Sequence, residues 1–131
     1  YIDVVKDEIH QNGLVETVSF KHGDFTAMAS DVDSADIVTL DKVICCYDDM
    51  SDLVGLSSKL ARKIYAVIYP REVWWTKLAF LMMNFYTRIK GSSFQTFIHP
   101  TQKVEEIIFG NGLKRNYYAT TLIWQVAIFT K

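Results

Sequence analysis

Two periods of apolar spacing alternate along this chain. In the opening "YIDVVKDEIHQNGL", Ile2, Val5 and Ile9 recur at helical spacing and Asn12-Gly13 stops the helix. "VETVSFKHGDF" switches to alternation through Val18 and Phe20 and reaches His22-Gly23-Asp24, which predicts a short strand ending in a turn. "DIVTL", residues 36–40, predicts a second strand. Between Asp48 and Lys63 the helical period returns in Met50, Leu53, Val54, Leu60 and Ala61. Acids stand at the front of that segment and Arg62-Lys63 at its rear, the order a helix dipole favours. "IYAVIYP" is a third strand, nearly continuous in apolar residues and stopped by Pro70; such continuity predicts cover on both faces, the habit of parallel sheets.

"REVWWTKLAFLMMNFYTRIK" predicts a long helix whose polar residues Lys77, Asn84 and Arg88 make only a narrow stripe. "SSFQTFIHP" is a loop or a short extended piece. Thr101 is placed to cap a helix with Val104, Ile107 and Ile108 facing inward, ending at Asn111-Gly112. "LKRNYYATTLIWQVAIFTK" reads as two β-runs bent near Thr120-Thr121. Too few residues separate them for a parallel crossover, so they must pair antiparallel. The expectation is one α/β domain over residues 1–131, with a Rossmann-like, doubly wound, mostly parallel sheet closed by an antiparallel hairpin. Open α/β sheets bind ligands beyond the carboxyl ends of their strands. That rule selects Asp24-Phe25, Asp41 to Tyr47, and Pro70-Arg71.

Composition narrows the function. Half of the residues are apolar and 14% aromatic, which suits a packed core. The net charge of -1 offers no basic face for nucleic acid. Cys45 and Cys46 are the only cysteines, and adjacent residues do not form an ordinary disulfide. This favours a reducing compartment, and with no signal peptide in view the expectation is cytoplasmic. No second cysteine pair or histidine cluster has ligand spacing, so no metal is expected and the two thiols read as small hydrophobes. The run from Trp74 to Tyr86 is interrupted by Lys77 and Asn84 and is too short to span a bilayer. Its apolar face is nevertheless wider than one buried side requires. It reads as core packing, as a lid over a large flat or greasy substrate, or as an amphipathic helix in peripheral contact with a membrane or a partner.

The ordered set "HGDF", "ADIVTLDKVICCY", "KIYAVIYPREVWW", "FIHPTQKVEEIIFGNGLKR" and "WQVAIFTK" resembles class I S-adenosylmethionine-dependent methyltransferases. Among these it is most similar to small-molecule methyltransferases of the group that includes magnesium-protoporphyrin O-methyltransferase. The resemblance covers essentially the whole chain. It implies S-adenosyl-L-methionine as cofactor and in-line methyl transfer to a small apolar or aromatic molecule. Family members begin with a strand, a glycine-rich turn and a second strand ending in an acid. This sequence has no G-x-G and opens on Tyr1, so the expectation is the C-terminal portion of a longer enzyme, inactive alone.

The resemblance also implies roles. Asp24 matches the acceptor for the adenine amine, with the Phe25 backbone as a donor beside it. Asp41 and Lys42 leave their strand where the methionine part of the cofactor would lie. Tyr47 is a ring lining the cleft; the family commonly has a proline after it, where this chain has Asp48. His99 lies near the substrate mouth and could take a proton from an acceptor hydroxyl. Trp74 and Trp75 are placed over the substrate. Two alternatives remain. One is a methyltransferase-like binding or regulatory module without turnover. The other is a dinucleotide oxidoreductase, which would want a glycine fingerprint and ordinarily lacks the antiparallel finish.

Overall fold

A computed structural model describes residues 2–131. Tyr1 and the side chain of Ile2, the first of the three residues read at helical spacing, lie outside the described residues. Helix α1 (Ile2–Gln11) is followed by an irregular exposed stretch, and then by the single turn α2 (Phe25–Met28). Strand β1 (Ala35–Asp41) leads through α3 (Met50–Leu60) into β2 (Ala61–Pro70). Helices α4 (Trp74–Ile89) and α5 (Thr101–Gly110) come next, then β3 (Lys114–Thr120) and β4 (Trp124–Thr130). The sheet order is β1-β2-β4-β3. β1 and β2 pair parallel, whereas β2–β4 and β3–β4 pair antiparallel. The fold is α/β with a mixed sheet, closed by the predicted terminal hairpin. β1, β2 and β3 run in one direction and β4 alone runs against them, so the described sheet is mostly parallel in strand direction with its antiparallel finish.

Three boundaries depart from the sequence pattern, each for a physical reason. Residues 18–20 form no strand, because alternation becomes a strand only where a ladder partner exists, and no described strand pairs with them. Arg62 and Lys63 belong to β2, not to the end of α3; both reach across to Asp36 of β1, at 3.1 and 2.8 Å. Thr101 is not a cap. Pro100 precedes the helix, and the Thr101 hydroxyl instead accepts a bond from Gln125 Nε2 at 2.9 Å.

The core lies on one face of the sheet. The registers Val38–Tyr65–Phe129 and Leu40–Val67–Ala127 put these side chains on the same side. There they meet Leu53 and Val54 of α3 and Val104 and Ile108 of α5. Asn111 ties the end of α5 to α3 through the Gly55 carbonyl (3.0 Å) and Ser58 Oγ (2.6 Å). On the reverse face Ile64, Ile68, Val126 and Ile128 are only partly buried, and Ile37 is 60% exposed. Among the described residues β2 is therefore covered on one face, not on two.

One buried polar pair makes this core specific. Ser57 donates to the Leu53 carbonyl at 2.6 Å, so at 2.7 Å the Tyr65 hydroxyl must donate to Ser57 Oγ. Burial pushes the Tyr65 phenol up, and it stays a neutral donor. Tyr65→Phe is expected to lower the unfolding free energy by about 1 kcal/mol, read from denaturant melts. Ser57→Ala is expected to cost more, because it leaves the buried phenol without an acceptor.

Candidate functional site

The carboxyl ends of β1 and β2 lie side by side, since Asp41 pairs with Ile68. Just beyond β1 the chain turns sharply. Lys42 takes φ +56°, a conformation a non-glycine residue adopts only where its surroundings enforce it. Its amide donates to the Ile68 carbonyl at 2.9 Å, and its ammonium lies 5.4 Å from the centre of the Trp124 ring. Residues 43–49 then arch over to α3, where Asp49 caps the helix by accepting from the Asp52 amide at 3.2 Å.

This arch carries no proline after Tyr47, yet it is pinned from outside. The Phe97 amide donates to the Cys45 carbonyl at 2.7 Å, and His99 Nε2 lies 2.9 Å from the Tyr47 carbonyl. A carbonyl only accepts, so Nε2 bears the proton. In the neutral ring Nδ1 is then the acceptor, and it has no partner among the described residues. The imidazole stacks on Phe97, with centroids 6.0 Å apart.

Asp24 joins the same arch from the other side. Its Oδ1 accepts from the Thr26 amide (3.0 Å) and lies 3.0 Å from the Thr26 hydroxyl and 2.8 Å from the Tyr47 hydroxyl; these hydroxyls are 2.6 Å apart, so one donates to the other and the second donates to Oδ1. Oδ2 has no partner among the described residues. The Tyr47 hydroxyl foremost, then the Thr26 amide and hydroxyl, hold the Asp24 carboxyl below the ordinary carboxylate range. Phe25 opens α2, so its N–H has no intrahelical partner.

Two hollows flank this constellation. One of about 260 Å³ is lined by Asp48, Asp49, Ser51, His99, Pro100 and Lys103. A wider one of about 610 Å³ is bounded by Cys46, Tyr47, Asp48, Phe94 and Phe97. The structure thus brings Asp24, Tyr47 and His99 together through direct bonds. Asp41 and Lys42 stand at the β1 tip and line neither hollow. Trp74 and Trp75 also lie elsewhere: Trp75 Nε1 donates to the Leu122 carbonyl at 3.1 Å, beside the β3–β4 turn, and Trp74 packs edge-on against it.

Thr26 and Phe97 join the site without being singled out from sequence. Thr26 had a signal, because an acid two residues before a threonine at a helix start is a capping pattern. Phe97 had none, since it reads as one apolar residue in a loop. Cys45 is buried, and its thiol is pushed up to about 12 by that burial and then by Cys46, so it is no thiolate at neutral pH. Among the described residues no three His, Cys, Asp or Glu side chains are gathered for a metal ion, and no helix is long and apolar enough to cross a membrane.

No protein-family model matches the sequence, and no curated protein matches it by sequence. Solved structures do match its fold. An O-methyltransferase family protein from Burkholderia thailandensis superposes with a TM-score of 0.77 at 15% identity, covering 98% of this chain and 40% of that one. An O-methyltransferase family 2 protein from Planctomyces limnophilus, solved with apigenin, gives 0.69 at 15% identity over 99% and 39%. Magnesium protoporphyrin IX methyltransferase from Synechocystis PCC 6803 with bound SAH gives 0.64 at 14% identity over 86% and 51%. The chain has the methyltransferase fold and spans about two fifths to one half of the length of these structures.

Proposed function

We propose that this chain forms the cofactor- and substrate-facing part of an S-adenosylmethionine-dependent O-methyltransferase acting on a hydroxyl of a small aromatic or apolar molecule. The observation that carries the reading is the convergence of Asp24, Tyr47 and His99 beyond the carboxyl end of β1, on a fold otherwise seen in O-methyltransferases. The fit to the cofactor rests on Asp24. The Thr26 amide and one hydroxyl of the Thr26–Tyr47 pair occupy Oδ1 and fix the carboxylate, which leaves Oδ2 as a free, oriented acceptor for an exocyclic amine. Phe25 supplies the adjacent N–H for a ring nitrogen. Asp41, exposed at the β1 tip, is the carboxylate assigned to the ammonium group, with Lys42 holding the turn behind it.

When bound, S-adenosylmethionine supplies an electrophilic methyl group on a sulfonium. The chain's own residues position and deprotonate. Phe97 and Phe94 give the wider hollow an apolar wall for an aromatic acceptor, and Tyr47 closes its edge. His99 lines the smaller hollow, across the Asp48-Asp49 rim that the two hollows share; with its Nε2 proton on the Tyr47 carbonyl, Nδ1 takes the proton of an acceptor hydroxyl that extends over that rim as the oxygen attacks. Most of the acceleration comes from holding the two reactants in line in a drier cavity. Trp75 takes part only as a cover reaching in from the β3–β4 side, and Trp74, exposed on the outward side of α4, takes no part.

Calorimetry of S-adenosylmethionine against the full-length polypeptide tests this reading. Micromolar binding that SAH displaces is the expected result. No heat at millimolar cofactor would overturn it in favour of a methyltransferase-like module without turnover.

A further inference from the structure

Helix α4 is built inside out. At about 100° per residue, Trp74, Leu78, Leu81, Met82, Phe85 and Ile89 fall on an arc roughly 100° wide. These side chains are between 49% and 72% exposed. The opposite side faces the protein and is partly polar. Thr76 is buried, and Asn84 clamps Thr96 by donating to its carbonyl at 2.8 Å and accepting from its amide at 2.9 Å. The outward apolar arc is therefore not a core stripe that lost its partner by rotation, because the helix is held in this orientation by its polar side.

Charge says what the arc faces. Residues 1–72 hold thirteen acids against seven lysines and arginines. From residue 73 to 104 there is no acid, and Lys77, Arg88, Lys90 and Lys103 are all basic. Arg88 borders the arc on one side, next to Lys77, whose ammonium is already paired with Glu72 at 3.0 Å. Lys90 lies on the other, 5.7 Å from the centre of the Tyr86 ring. An apolar, aromatic arc flanked by Arg88 and Lys90, neither of which has an acidic partner among the described residues, is complementary to a bilayer surface that has anionic headgroups above hydrocarbon. A two-fold pairing of α4 with a second copy would press like charges together.

We propose that α4 seats this protein on an anionic lipid surface, lying in the interface plane with its arc among the acyl chains and its flanking cations at the headgroup phosphates. The proposal does not depend on methyl transfer, and its readout is vesicle binding. In co-sedimentation of the full chain, vesicles of phosphatidylcholine with phosphatidylserine should bind it at least tenfold more tightly than phosphatidylcholine alone. Arg88→Ala with Lys90→Ala should remove roughly 20- to 30-fold of that affinity. Leu81→Ser with Phe85→Ser should abolish sedimentation with either vesicle, at unchanged circular dichroism, since both positions are exposed. No binding to anionic vesicles, or binding that the serine pair leaves intact, overturns the proposal. So does a dimer in sedimentation equilibrium that the serine pair dissolves.

Discussion

His99→Ala is expected to lower kcat for a hydroxyl acceptor by roughly 10²- to 10⁴-fold, the usual contribution of a general base. The variant mixes two losses, because the ring also fastens the Tyr47 carbonyl. His99→Gln separates them. A glutamine amide can still donate to that carbonyl, but it offers no basic nitrogen. If His99 acts as the base, the glutamine variant binds cofactor like the wild type and turns over as slowly as the alanine variant. The loss should also shrink as pH rises toward the acceptor's own pKa, where the hydroxyl ionises unaided. Turnover of the glutamine variant at the wild-type rate, measured with a labelled methyl donor, would remove His99 as a base and leave it a positioning residue for the arch.

The geometry around His99 also shows what a sequence can and cannot reveal. The strands β1, β2 and β4 were legible because their apolar runs are bounded by turn residues and packed on a shared core face, whereas β3, exposed along nearly all its length, was legible only as the other arm of the closing hairpin. The proposed strand at 18–20 was not sound, because alternation is a local property and strand formation requires a neighbour. The helix from Trp74 was legible as a helix, yet its orientation was not. Apolar periodicity gives a face without saying which way it points, and here Asn84 and Thr96 decide the matter across twelve residues of sequence. The pairing of Asp24 with Tyr47 spans 23 residues and rests on one hydroxyl, so no spacing rule announces it. Phe97 fixes the arch through its backbone amide, which any residue but proline could supply.

The same constellation makes Asp24 the most sensitive position for cofactor binding. Asp24→Ala removes the free Oδ2 acceptor, the cap of α2 and the partner of the Tyr47 hydroxyl. The expected result is an affinity for S-adenosylmethionine weaker by roughly 100-fold or more. Asp24→Asn tests whether the direct contact is responsible. Asparagine caps a helix about as well as aspartate, so the fold and the denaturation midpoint should hold. With its carbonyl oxygen accepting from Thr26 and Tyr47, its NH₂ takes the place of Oδ2 and meets the incoming amine donor to donor. Binding should then fall nearly as far as in the alanine variant. The pH dependence follows from the lowered carboxyl. A group whose folded pKa is depressed contributes above its ordinary value and loses that contribution as pH falls through the lowered one. Affinity should therefore be flat with respect to this group over roughly pH 5–8 and weaken only below the ordinary value of 3.8. An asparagine variant that binds as tightly as the wild type would mean that Asp24 holds its own turn and nothing else, and the cofactor would have to be placed elsewhere on the sheet.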